Sequence, residues 1–258
     1  MRLKCSALAN CLNTNLHTLT NRIKKMAKIL ALDTSTDACS VALSIDGEIQ
    51  EDFRIIPRQH TRELLPMVDE ILSAAGLKVK QLDAIAFGRG PGSFAGIRIA
   101  TGAAQGLAYA ANLPVLPIST LAAIALKAAR EYKAERVMST LDARMNELYS
   151  CAYEIRSGLP VAVTKEAVSA PENIVLPEGD GWFAAGKGWV YLESMSEQVQ
   201  QGISVPVMDI YPAAGIMAEL AQEAFVRGEG VSAELAQPVY LRDEISWKKI
   251  SEQKKKGQ

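Results

Sequence analysis

The sequence has only two histidines and four cysteines in 258 residues, and this scarcity limits the chemistry it can support. The cysteines are scattered, with no Cys-x-x-Cys pair, so we expect reduced thiols in a cytoplasmic protein rather than a zinc site or a disulfide framework. His60 is followed one helical turn later by Leu64, where a helical metal pair needs its second ligand. The sequence therefore predicts no metal site and no catalytic triad built on histidine.

Long apolar runs and a strong net charge are also missing. No stretch of 18 apolar residues is present, so no membrane span is predicted. The formal net charge is −1, but residues 1–25 carry five basic residues and no acidic one, which leaves the remainder near −6. Tight nucleic-acid binding needs clustered Lys and Arg, so we do not expect it of this chain alone.

Both ends differ in composition from the body. Residues 1–25 precede Met26 and lack the apolar core of a secretory signal. They are interpreted as a disordered extension that an upstream start codon adds, with an organellar transit peptide as the alternative. Residues 246–258 contain five lysines and are predicted to form a solvated basic tail.

The first half alternates strands and helices. Apolar runs and period-two patterns predict strands at 29–32, 40–45, 49–56, 82–87 and 115–118, with a hairpin turn at Asp46-Gly47. Helical spacing predicts helices at 61–75, at 93–111 with Ser93 as N-cap, and from Ser119 through Tyr132.

The second half repeats the opening of the first. A strand at 137–141 ends at Asp142, as the strand at 29–32 ends at Asp33, and strands at 148–155 and 161–168 follow. A strand at 182–185 and helices at 190–195 and 213–227 complete the chain. The repetition predicts an α/β fold of two related lobes with mixed sheets and flanking helices, at 26–125 and 126–245.

The run from Gly88 to Gly96 (GRGPGSFAG) is the sharpest local signal. It follows a predicted strand and opens a helix, so free backbone N–H groups at Gly90 and Gly92 are candidates for holding an anion. The alternative is a tight turn that feeds a closely packed helix. Asp33 and Asp142, at strand ends that are expected to face a cleft, are candidates for positioning Mg²⁺ or water, with turn formation as the alternative.

The helix at 93–111 is unusually rich in small residues. Glycine inside a helix costs up to ~1 kcal/mol relative to alanine, which is tolerable where another backbone must approach closely. That backbone belongs either to this chain or to another subunit. The candidate partner interface comprises Ser93, Phe94, Gly96, Ile97, Ile99, Gly102, Ala103 and Gly106.

From Met26 to about Lys248 the chain resembles the TsaB (YeaZ) family. The resemblance rests on DTST at 33–36, HTRELLPMVDEIL at 60–72, GRGPGSFAGIRIATG at 88–102 and PVYLR at 238–242. It implies the actin-like, sugar-kinase-like (ASKHA) fold. It also implies a subunit that pairs with a catalytic paralogue, TsaD, and an ATPase, TsaE, to transfer threonylcarbamoyl to the adenosine beside the anticodon of ANN-decoding tRNAs.

Comparison with that paralogue implies a degenerate, non-catalytic member. The metal-binding histidine pair corresponds to His60 and Leu64, and the phosphate turn of the second lobe corresponds to 141–144, which holds Asp142 but no glycine. Asp33, Ser35, Gly186 and Gly188 remain candidates for a partial nucleotide site. The resemblance implies that this chain binds no cofactor tightly and that the complex uses ATP and Mg²⁺. It leaves open a nucleotide at the subunit boundary. The chain is expected to reach tRNA only through the complex and to form a homodimer when its partner is absent. A small-molecule kinase or ATPase and a metallopeptidase are the alternative functions.

Overall fold

The computed structural model describes residues 26–242. The predicted extension at 1–25 and the predicted basic tail at 246–258 lie outside the described residues.

The first sheet has five strands in the order β3-β2-β1-β4-β5. Strand β1 is antiparallel to β2 and parallel to β4, and β5 continues the parallel part, which makes the sheet mixed. The elements of this part of the chain are β1 (Ile29–Asp33), β2 (Ala38–Ile45), β3 (Glu48–Ile55), α1 (His60–Ala74), β4 (Ala84–Gly90), α2 (Phe94–Ala111), β5 (Val115–Ser119) and α3 (Thr120–Tyr132). Each strand and helix predicted for this half is present, with bounds shifted by a few residues.

Strand β1 is buried on both faces because helices cover both sides of the sheet. Leu30 and Leu32 point into one apolar cluster with residues of α1 and α2, whereas Ile29 and Ala31 point into another on the opposite face. This alternation follows from the period of two along a strand. A strand buried on both faces reads as a continuous apolar run, as at 29–32.

The second sheet repeats the arrangement of the first. Its strand order is β10-β6-β7-β8, with β6 antiparallel to β7 and parallel to β10, as β1 is antiparallel to β2 and parallel to β4. The remaining elements are β6 (Arg136–Arg144), β7 (Glu147–Arg156), β8 (Leu159–Ala162), β9 (Ala167–Ser169), β10 (Phe183–Ala185), α4 (Glu197–Gly202) and α5 (Ala214–Val226). The matching order confirms the predicted α/β fold of two related, mixed sheets.

Two predicted elements differ in detail. The single strand predicted at 161–168 is two short strands, β8 and β9, both paired with β7. The pairing with β7 is interrupted between β8 and β9, where Glu166 accepts a hydrogen bond from Ser119 and forms an ion pair with Arg89 of the first lobe. The helix predicted at 190–195 belongs to a longer 3₁₀ helix, Lys187–Ser194.

Helix α5 packs on the first sheet although it follows the second in sequence. Its alanines share an apolar cluster with Ile29, Ala31 and Ala86. Gln222 is buried and bonds both backbone groups of Ala27, with Ala27 N to Oε1 at 3.1 Å and Nε2 to Ala27 O at 2.6 Å. The lobe limits at 26–125 and 126–245 stay a prediction, and these contacts join α5 to the first lobe.

No helix within residues 26–242 has the length and apolar character that a membrane crossing requires.

Candidate functional site

Asp33 ends β1 with its side chain fully buried. Its Oδ2 accepts hydrogen bonds from Ser35 N at 3.2 Å and Ser35 Oγ at 2.9 Å, and its Oδ1 has no partner among residues 26–242. A Cβ at Gly88 would lie 2.0 Å from Oδ1, so Gly88 directly covers the carboxyl group. Burial raises the pKa of Asp33 to about 7, against the smaller opposing effect of the Ser35 bonds. Contrary to prediction, Asp33 lies under residues 88–92, the glycine turn, and does not line the cleft between the two sheets.

The glycine turn packs against the segment that follows β1. Ser93 N donates to Ser35 O at 2.7 Å, and Ser93 Oγ accepts from Gly96 N at 3.4 Å as the predicted N-cap of α2. A Cβ at Gly92 would lie 2.5 Å from Ser35 O, and one at Gly96 would lie 1.9 Å from Thr34 O. These contacts support the tight-turn interpretation, because the Ser93 N–H is already used within the chain and cannot hold an anion.

Gly90 has a φ of +100°, a conformation that favours glycine. The neighbouring Arg89 O accepts a hydrogen bond from Val239 N at 2.8 Å, so the C-terminal part of the described chain crosses this turn. The PVYLR motif at 238–242 therefore contacts the glycine turn, an association that its position in the sequence does not reveal.

Unlike Asp33, Asp142 lines the cleft between the two sheets. Its Oδ1 accepts hydrogen bonds from Tyr191 OH at 3.0 Å and Arg144 N at 2.8 Å, and its Oδ2 lies 3.2 Å from Arg144 NH1. Arg144, Met145 and Asn146 all have positive φ values in the turn from β6 to β7. The bonds of Asp142 thus stabilise this turn, in agreement with the turn-forming alternative.

Gly186 and Gly188 follow β10, which is parallel to β6 as β4 is parallel to β1. A Cβ at Gly186 would lie 2.2 Å from Thr140 O, and one at Gly188 would lie 2.7 Å from Thr140 Cβ. Gly186 also has a φ of +96°. Both glycines are buried, and their small size is required by the close approach of β6.

His60 begins α1 and is buried, with Nε2 3.2 Å from Ala38 O. Leu64 lies in the apolar core. Within the described range, no group of three His, Cys, Asp or Glu side chains is arranged as a metal site would require. The ring of His60 therefore links α1 to the start of β2.

An open cleft of about 1560 Å³ lies between the two sheets. One wall comes from the segments after β1 and before α2, and the other from the β6–β7 turn at 141–145. Residues 239–242 form part of its edge. Lys187 bridges the walls by donating to Asp37 Oδ2 at 2.8 Å, which lowers the pKa of Asp37 and raises the pKa of Lys187. The cleft therefore holds charged side chains from both lobes.

The outer face of α2 is the second candidate site. Gly102 and Gly106 are exposed, and an added Cβ at either position would meet no other atom of the described chain within 4 Å. Ile99 and Ala103 are half-buried beside them, and Phe94 is 54% exposed. Gly96 and Ile97 face inward instead, so these two predicted interface residues pack within the chain.

Sequence reasoning missed two groups of residues. The first lies on α2: Tyr109 extends the outer face of the helix, and Arg98 lines the cleft one turn before Gly102, each at helical spacing that could have revealed it. The second group joins the lobes: Glu166 pairs with Arg89 at 3.0 Å and accepts a hydrogen bond from Ser119 Oγ. No local signal marks Glu166, because its partners are 77 and 47 residues away.

Comparison with known proteins gives consistent matches. Residues 54–240 match the family model described as TsaD, tRNA N6-adenosine threonylcarbamoyltransferase. The chain is 42% identical to the tRNA threonylcarbamoyladenosine biosynthesis protein TsaB of Haemophilus influenzae, over 86% of this chain and 96% of that protein. It is 40% identical to TsaB of Escherichia coli, over 86% and 98%. The solved structure of YeaZ from Pseudomonas aeruginosa superposes with a TM-score of 0.79 at 47% identity, covering 84% of this chain and all of that one.

Proposed function

Because this chain belongs to the TsaB (YeaZ) family of tRNA threonylcarbamoyladenosine biosynthesis proteins, we propose that it is the non-catalytic scaffold subunit that binds and activates a TsaD-like paralogue. The family and its role in tRNA threonylcarbamoyladenosine biosynthesis rest on the matches above. The division of labour between the two proteins is the proposal.

The outer face of α2 is the observation that carries this proposal. Two consecutive turns of an exposed helix present Gly102 and Gly106, which intrachain packing does not require. Exposed glycine lowers the stability of a helix, so its presence is explained if a partner helix must approach the backbone closely. Exposed Tyr109 extends the same face with aromatic area, which is typical of interfaces.

The geometry around Asp33 supports a non-catalytic role. A carboxylate that positions Mg²⁺ or water must reach its ligand, and Gly88 covers Asp33. In the second lobe, Asp142 is engaged by Tyr191 and Arg144. These residues do not fit a phosphate cradle formed by this chain alone. A nucleotide used by the complex, with its Mg²⁺, would accordingly need groups from the paralogue or from the TsaE-like ATPase.

The decisive experiment is an omission assay. The chain is combined with the paralogue, the ATPase and a threonylcarbamoyl-adenylate synthase of the same source, and threonylcarbamoyladenosine in tRNA is measured with and without it. We expect modification to require the chain, and the chain and paralogue to co-elute in size-exclusion chromatography.

The rival function, a small-molecule kinase or ATPase, is tested by a second measurement, the ATP turnover of the isolated chain. Modification that proceeds at the same rate without the chain contradicts the scaffold role. Turnover of ATP by the isolated chain at a rate that Asp33→Asn abolishes would show instead that it is an enzyme.

A further inference from the structure

The cleft between the sheets carries positive charge that the rest of the chain does not share. Residues 26–242 contain 18 Lys and Arg against 26 Asp and Glu. Two acidic residues, Asp37 and Asp142, line the cleft. Five of the basic residues line it, namely Arg58, Arg98, Arg144, Lys187 and Arg242. Anions are therefore attracted to this cleft although the described chain as a whole is acidic.

Two of the five cations are not neutralised by the protein. Lys187 pairs with Asp37, Arg144 with Asp142 and Arg242 with Glu147. Arg58 and Arg98 form no ion pair with any carboxylate of residues 26–242, and both are exposed. A guanidinium group binds phosphate through two parallel hydrogen bonds, so these two arginines are suited to a phosphate-bearing ligand.

Aromatic rings flank Arg98 at the mouth of the cleft. Its guanidinium lies 3.5 Å from the ring centroid of Phe94, and its Nε donates to Tyr240 OH at 2.7 Å. The two ring centroids are 5.8 Å apart, and the residues are 54% and 44% exposed. Exposed aromatic rings beside arginine are the platform on which proteins stack the bases of single-stranded nucleic acid.

The size of the cleft favours an extended ligand. Its volume of about 1560 Å³ exceeds the range of roughly 300–1,000 Å³ that is usual for small-molecule sites. From the charge, the aromatic rings and the size together, we infer that the mouth of this cleft binds single-stranded RNA. Its bases stack on Phe94 and Tyr240, and its phosphates contact Arg58 and Arg98.

This inference rests on the proposed function and identifies the RNA as the anticodon loop of the tRNA that the complex modifies. The acidic body explains why the chain alone is expected to bind RNA weakly, since its two unpaired arginines supply few phosphate contacts. The paralogue would supply the remaining contacts and the chemistry.

The test uses the assembled complex of chain and paralogue with a fluorescein-labelled anticodon stem-loop of an ANN-decoding tRNA. Fluorescence anisotropy gives Kd at several salt concentrations for wild type and for Arg58→Gln/Arg98→Gln. We expect Kd to rise about tenfold or more, and the slope of log K against log salt to fall by about 1.4, which corresponds to two lost phosphate contacts on a single strand. Tyr240→Ala is expected to raise Kd about tenfold through lost stacking with little change in slope.

Controls separate this inference from its alternatives. Arg227→Gln removes one positive charge from an exposed turn, where Arg227 pairs with Glu229, and should leave Kd unchanged. Arg58→Lys keeps the charge but loses the paired hydrogen bonds of the guanidinium, so it should raise Kd less than Arg58→Gln does. Unchanged Kd and slope in the double variant, or an equal loss in Arg227→Gln, would overturn the inference. So would displacement of the stem-loop by AMP at equal concentration, which would identify a nucleotide site. Size-exclusion chromatography of the wild-type chain with the paralogue is run separately. If the two proteins do not co-elute, the proposed scaffold role has failed; if they co-elute and the double variant leaves Kd unchanged, only the RNA site is overturned.

Discussion

Replacing the exposed glycines of α2 tests the proposed interface in two opposite directions. Gly102 and Gly106 are helical, and an added Cβ would meet no atom of residues 26–242 within 4 Å. Each Gly→Ala change should therefore stabilise the isolated chain by about 1 kcal/mol through helix propensity. For a domain of this size, that gain corresponds to an increase in Tm of about 2–4 °C per substitution.

The same positions should become unfavourable for assembly when the new side chain is large. Gly102→Leu or Gly106→Leu places four carbon atoms where a partner backbone is proposed to approach. Overpacking of a closely packed contact costs about 1–3 kcal/mol, or roughly a 5- to 150-fold increase in Kd. Titration calorimetry of the chain against the paralogue measures this change, and the Tm of the isolated chain should not fall.

Two control variants make the result interpretable. Gly96→Ala lies on the inner side of the same helix, where its Cβ would be 1.9 Å from Thr34 O, so it should destabilise the isolated chain by about 3 kcal/mol. Glu223→Leu adds similar apolar area to the exposed surface of α5 and should leave Kd unchanged. The reasoning is refuted if both Leu variants bind the paralogue within twofold of wild type, or if either Ala variant lowers Tm.

Three further predictions concern stability. The pKa of Asp33 is about 7 in the folded chain, against its ordinary value of 3.8. The folded state therefore holds more protons between these two values, and stability should decrease by up to about 4 kcal/mol as pH rises from 4 to 7. Asp33→Asn should remove this decrease, and equal urea midpoints for variant and wild type at pH 8 would contradict it. Gln222→Leu leaves both backbone groups of Ala27 unpaired and should cost about 3 kcal/mol, whereas Gln198→Leu, at an exposed position, should cost little in the same urea titration. Glu166→Ala leaves Arg89 without its partner and should cost about 3 kcal/mol; a loss below 0.5 kcal/mol would show that the link between the lobes contributes little.

The sequence by itself determined the elements and their repetition. Strand β1 was recognisable because an apolar run is typical of a strand covered on both faces, and Ser93 and Ser119 marked the starts of α2 and α3 because serine caps the free N–H groups of a helix. The repeated order of strand, aspartate, turn and strand revealed the two related lobes. These signals are local, since each depends on residues within a few positions of one another.

Only the tertiary structure decided which of the candidate residues are accessible. Gly96 and Gly102 look alike in sequence, yet the first is pressed against Thr34 and the second is open, because one side of α2 packs on the sheet. Asp33 ends β1 and Asp142 lies two residues before the end of β6, but Gly88 covers only the first. The five cations of the cleft come from segments that lie up to 184 positions apart, between Arg58 and Arg242. Burial and electrostatic neighbourhood depend on contacts between distant segments, and the packing of the two lobes and of residues 231–242 creates those contacts.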